Sequence, residues 1–163
     1  MIESSETQRI RAFIAPLRII LGLILLVTWY ENFSKGVYTA DGITGLFNYI
    51  FNEAGGGPGW YRALIESTIL QVPGLFAAFQ LVAELLLGLG LLFGGLTPIA
   101  GLSAALFFFN LFLSYYGGSE WIWIYVLLTV SALTVGLTQS GRVFGLDQYL
   151  LKTRGDPPLP YLW

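Results

Sequence analysis

The sequence predicts an all-α integral membrane protein, a four-helix bundle with amphipathic interfacial helices in its first outer loop. Three observations predict it. The composition is 55% hydrophobic and only 11% charged, with a mean hydropathy of +0.69, whereas soluble domains carry about 25% charged residues. Four apolar runs approach the ~20 residues needed to cross a hydrocarbon core of ~30 Å. Trp29, Trp60, Trp121 and Trp123 fall at run ends or in loops on one side, where indole rings favour the membrane interface. At 163 residues the chain has room for one domain and no separate soluble module.

Residues 1–12 read as a polar cytoplasmic lead ending in Arg9 and Arg11, and the first span covers about 13–30. A secretory signal also begins with a basic stretch. This run is long for one and no small-x-small cleavage site follows, so a retained anchor is expected. The second span covers about 73–93 and the third about 97–115. Gly94-Gly95-Leu96 and then Pro98 give the tight hairpin between them its turn chemistry. Residues 116–120 make the next turn, before a fourth span over about 121–137. Residues 13–150 thus form the membrane domain. The tail, 151–163, carries Pro157, Pro158 and Pro160, a density that prevents a helix. It reads either as a docking strip for a partner, with Trp163 as anchor, or as a disordered end.

The outer loop, 31–72, is too long for a plain connector. Ile43, Leu46, Phe47, Ile50 and Phe51 recur in it at helical spacing, with Thr44, Asn48 and Asn52 on the other face. Gly55-Gly56-Gly57-Pro58-Gly59 breaks that helix, and a second short one follows near 60–70. The pair reads as a cap over the outer end of the bundle, or as surface helices that only shield lipid. Lys/Arg placement sets the orientation. Arg9, Arg11, Arg142, Lys152 and Arg154 flank the spans at the two termini. The long loop has only Lys35 and Arg62, against Glu31, Asp41, Glu53 and Glu66. The positive-inside rule puts both termini in the cytoplasm.

Composition also excludes functions. A net charge of −2 leaves no basic face for nucleic acid. The absence of cysteine and histidine removes disulfides, thiol nucleophiles, cysteine-ligated clusters, His-ligated haem and the usual transition-metal sites. No covalent or metal-bound cofactor is therefore expected.

Function is sought among the polar residues inside the apolar runs, because an ionisable group there costs about 2.5–3.5 kcal/mol on insertion scales. Arg18 lies roughly 7 Å from the inner end of the first span and Glu84 roughly 13 Å along the second, at ~1.5 Å per residue. Arg18 either snorkels to the headgroups or reaches Glu84 in a buried ion pair. Glu84 has two other readings, a neutral acid and a ligand-binding carboxylate. Glu31 and Lys35 have the favourable order and spacing for a helical ion pair. With Trp29 and Tyr30 they form either an amphipathic mouth or an interfacial anchor cluster. Gln80 and Asn110 are mid-span amides of the kind that bridge membrane helices.

Several stretches together resemble the DoxX/DoxD family of small four-helix membrane proteins. They are Leu17-Arg18 with Gly22, the Asn32-Phe33-Ser34-Lys35-Gly36 stretch, Glu84 with Gly88 and the Gly94–Thr97 turn, and Gly141-Arg142-Val143-Phe144-Gly145-Leu146-Asp147. The resemblance covers about residues 13–150, and the last motif is the most specific. It implies a prokaryotic plasma-membrane protein. DoxD-like members are the membrane subunit of thiosulfate:quinone oxidoreductase, and other members accompany redox and sulfur enzymes. Carried over, it points to Arg18, Lys35, Glu84, Arg142 and Asp147, the last two read as a local pair that ends the fourth helix. The leading expectation is a subunit of a redox-linked membrane complex that binds quinone at Trp29, Tyr30, Lys35 and Glu84. A partner must bring the electrons, since the chain has no redox centre or thiol. The alternatives are a non-catalytic anchor or scaffold of a larger membrane assembly and, behind it, a small carrier or channel. Membrane lipid and protein partners are expected in each case.

Overall fold

The computed structural model describes residues 5–158 and 162–163. The first four residues of the lead and residues 159–161 of the tail lie outside it. The fold is all-α, with no strand among the described residues. Its helices are α1 (Ser5–Ser34), α2 (Ala40–Asn48), α3 (Gly59–Ser67), α4 (Pro73–Phe93), α5 (Thr97–Tyr115), α6 (Trp123–Thr138) and α7 (Leu146–Arg154). A π-helical turn, Tyr49–Glu53, continues α2, and 3-10 turns at Ile69–Gln71 and Ser140–Arg142 precede α4 and α7.

Three helices, α1, α4 and α5, are long and apolar enough to cross a membrane, and α6 is apolar but only 16 residues long. Their outward faces carry Ile20, Val27, Leu75, Val82, Leu106, Leu127 and Leu137, all exposed. A surface of that composition is at rest in lipid rather than water, so the chain is a membrane protein. Where α1 meets α4, Gly22 faces the main chain of Leu92 and Gly88, and a Cβ there would overlap it. Gly101 and Gly136 do the same for α5 and α6. These small residues let backbones touch, which is how helices gain dispersion contacts in lipid. The inner core between the helices is built on Leu21, Leu25, Leu91, Ala104, Phe108 and Val135.

Arg11 at the start of α1 donates to Thr138 O and Gln139 Oε1, at 2.9 and 3.1 Å, where α6 ends. Gly141 packs against Thr97 and Gly94. The N-terminus of α1, the α4–α5 turn and the end of α6 therefore share one end of the bundle. At the other end Ser119 N–H bonds Ala54 O and Gly57 N–H bonds Tyr116 O, joining the long loop to the α5–α6 turn.

The boundaries at the two ends of the chain depart most from the sequence expectation. The lead is helical from Ser5 onward, because Glu6, Thr7 and Gln8 are tolerated in a helix and Arg11 is tied down by α6. The helix α7 runs into the tail as far as Arg154, and Gly155, with φ 77°, ends it.

Candidate functional site

A cavity of about 530 Å³ lies between α4 and α5, under α2 and its π-helical continuation. Its walls are apolar, with Phe47 and Ile50 above, Phe76 and Phe79 from α4, and Phe107 from α5. The amphipathic stripe of the long loop builds this roof. Ile43, Phe47, Ile50 and Phe51 are buried, in contact with Tyr61, Ile65 and Ala77, while Thr44, Asn48 and Asn52 face out. Thr39 starts α2 by accepting the Gly42 N–H on its side-chain oxygen. The loop helices thus cover the end of α4 and α5 rather than floating on the surface.

Five polar side chains reach the cavity: Gln80 and Glu84 from α4, and Ser103, Asn110 and Ser114 from α5. Glu84 is 1% exposed. Its Oε2 accepts a hydrogen bond from the Tyr38 hydroxyl at 2.7 Å, and its Oε1 has no hydrogen-bond partner. Gln80 and Asn32 are its other polar neighbours. Burial, together with the Glu84 carboxyl, pushes the Tyr38 phenol above its ordinary pKa, so Tyr38 is a permanent donor at neutral pH. On the α5 side the Tyr61 hydroxyl donates to Asn110 Oδ1 at 2.9 Å and lies 2.8 Å from Ser114 Oγ. Tyr61 comes from α3, is 2% exposed, and burial raises its pKa as well.

Of the four residues expected to hold a ligand, Glu84 lines this cavity and Trp29, Tyr30 and Lys35 do not. The Trp29 indole donates to Leu81 O at 2.9 Å and fastens α1 to α4. Tyr30 is 65% exposed. Lys35 pairs with Glu31 at 3.1 Å, as their spacing predicts, but both side chains are more than half exposed, so the pair contributes little. The loop turns after Ser34 and lays α2 over α4, which moves the covered space away from the end of α1.

Arg18 and Glu84 do not pair. The Arg18 guanidinium reaches Gly94 and Gly145, ten residues along α4 from Glu84, or about 15 Å. Arg18 is fully buried, its Nη2 donates to Phe144 O at 2.9 Å, and Asp147 supplies the nearby opposite charge. Arg142 and Asp147 do not pair either. Arg142 donates Nε and Nη2 to Trp163 O at 3.1 and 2.6 Å, drawing that residue back onto the protein. Asp147 turns inward to the start of α5, where Leu96 and Thr97 donate their main-chain N–H groups to its two oxygens at 2.7 and 2.9 Å. Gln80 bonds no other spanning helix among the described residues, and the Asn110 side chain is bonded to the loop helix α3.

Backbone strain gathers around this inner clasp. Leu96, Gln139 and Phe144 have φ between 51° and 56°, the left-handed region that non-glycine residues avoid. Leu96 presents its N–H to Asp147, and Phe144 its carbonyl to Arg18. Gly94, with φ 66°, caps α4 and leaves no room for a Cβ beside Arg18.

Tyr38, Tyr61, Ser103 and Ser114 were the site residues that sequence reasoning missed. Only Tyr61 carried a signal, a hydroxyl-bearing ring on the apolar side of a short amphipathic helix. No group of three potential metal ligands occurs among the described residues. No known family's sequence profile matches the chain, and no solved structure matches it.

Proposed function

We propose that this chain is a four-span membrane protein with both termini in the cytoplasm, and that its α4–α5 cavity binds quinone for a redox-linked membrane complex. The observation that carries the reading is the cavity itself. It is apolar and aromatic, has the volume of a small-molecule site, and has one buried carboxyl with an oxygen lacking a partner. Ligand sites are typically concave, mostly apolar and provided with a few polar groups that fix orientation. The resemblance to DoxX/DoxD proteins supports quinone as the ligand.

The chain's own residues bind the ring, exclude water and hold a proton on Glu84 or Tyr38. Quinone supplies the redox chemistry, and the electrons come from a partner protein, because no cysteine, histidine or other redox group in this sequence carries them. The fourth crossing rests on α6, whose 16 residues extend about 24 Å. Flanking residues from Trp121 to Ser140 lengthen it toward the hydrocarbon thickness. The Lys/Arg bias at the Arg11 end supports the orientation.

Native mass spectrometry of the protein released gently from its own membrane tests this. A quinone-mass adduct, lost in Glu84→Leu, is the expected result. A stoichiometric protein partner with no quinone would instead make the chain a non-catalytic anchor.

A further inference from the structure

Asn110 lies within an apolar helix and lines the cavity, and its amide is held at one end only. Tyr61 donates to Oδ1, and Ser114 Oγ, 2.8 Å from the same phenol, donates to Asn110 O at 2.9 Å. The Nδ2 end makes no hydrogen bond among the described residues. Across the cavity, Glu84 Oε1 is also without a partner. Polar groups left unpaired in apolar surroundings are costly, and here two of them, on different helices, line one space.

Their depths differ in a useful way. Measured from the α4–α5 turn at ~1.5 Å per residue, Glu84 lies about 14 Å along α4 and Asn110 about 20 Å along α5. The two groups thus face one space from different helices and at depths about 6 Å apart, so a single ligand that meets both carries polar functions on two separated edges. A fatty alcohol, a fatty acid or another lipid with one polar head satisfies one of the two groups and leaves the other bare.

We propose that Asn110 is the second recognition residue of this cavity, positioned by Tyr61, and that the ligand is a compact ring bearing oxygen functions on two opposite edges. The proposal rests on the cavity reading above and adds to it the residues that select the ligand. Tyr61 acts through Asn110: it fixes the amide plane and ties α3, which packs against the α2 roof, to the selecting residue. The roof and the recognition group therefore move together.

The test uses the full chain in lipid nanodiscs, titrated with decylubiquinone and separately with oleyl alcohol. Wild-type protein binds decylubiquinone. Asn110→Leu weakens that binding about tenfold, the size of one buried hydrogen bond, and leaves oleyl alcohol affinity within about twofold. Tyr61→Phe lowers the same ratio of affinities by a smaller factor, because the amide is present but free to turn. Asn110→Ser serves in the same way where the leucine variant does not fold. Unchanged decylubiquinone affinity in the Asn110 variants, with binding intact in the wild type, overturns this proposal alone. So does an equal loss of both probes, which marks collapse of the cavity. Failure of the wild type to bind decylubiquinone overturns the cavity reading and this proposal with it.

Discussion

Asp147 Oδ1 accepts the main-chain N–H of Leu96 at 2.7 Å, across 51 residues of sequence, from a carboxylate with no solvent exposure. Its other oxygen takes the N–H of Thr97, so one side chain satisfies two of the donors that the first turn of α5 leaves open. The negative charge also lies at the positive end of that helix dipole. The segment after α6 thereby locks the α4–α5 hairpin, and Arg18 locks the same stretch of chain from α1.

Removing that carboxylate should be expensive. Asp147→Ala is expected to lower unfolding stability by about 2–3 kcal/mol, since bonds to a charged group are worth about 1.5–3 kcal/mol and a lost helix cap about 1. Asp147→Asn, which keeps one acceptor, should lose less. Unfolding in mixed micelles measures both, and equal stability of all three proteins would dismiss the cap.

Two glycines should respond in opposite directions. A methyl group added to Gly45, in α2, meets nothing within 4 Å, so Gly45→Ala should stabilise by up to about 1 kcal/mol through helix propensity. Gly22→Ala drives its methyl into the main chain of α4 and should cost about 1–3 kcal/mol. Thermal unfolding of the pair in one detergent checks the sign of each.

Glu84→Leu should separate stability from binding. The substitution removes a buried carboxyl with an unpaired oxygen from an apolar wall but leaves the Tyr38 hydroxyl without its acceptor, so the fold is expected to change by no more than about 2 kcal/mol in either direction. Quinone binding should be lost. A variant that unfolds would show that the Tyr38–Glu84 bond holds the structure together instead.

Single-cysteine labelling tests the topology without interference, because the chain has no native cysteine. Ser140 is buried, so the exposed positions Ser5, Thr153 and Ser119 are the ones to use. Cysteines at Ser5 and Thr153 should react with an impermeant maleimide from the cytoplasmic side only, and one at Ser119 from the outer side only. Reaction of Ser5 and Thr153 from opposite sides is incompatible with four crossings.

The α4 and α5 boundaries were legible in the sequence because Pro73, Gly94-Gly95-Leu96 and Pro98 punctuate two otherwise uniform apolar runs. The helix α2 was legible because Ile43, Phe47 and Ile50 repeat at helical spacing on one side. The partners of Arg18 and Glu84 were not legible. Depth along a helix says how far a side chain can reach, but not that Phe144 O and Asp147 fold back beneath Arg18, nor that Tyr38 descends to Glu84. The cavity was hidden for the same reason. It exists only where α2 and its continuation pack over α4 and α5, and Asn110, on its wall, is bonded to Tyr61, 49 residues away. A period in one segment cannot reveal a space that several segments wall.

Photoaffinity labelling with an azido-quinone locates the bound ring itself. The purified full chain is irradiated with the probe, digested and mapped by mass spectrometry. Adducts on α4 around Phe76–Leu87 and on α5 around Ser103–Ser114, competed away by excess decylubiquinone, are the expected result. Adducts confined to Trp29, Tyr30 and Lys35 at the end of α1, or labelling that decylubiquinone does not reduce, would contradict a quinone site between α4 and α5.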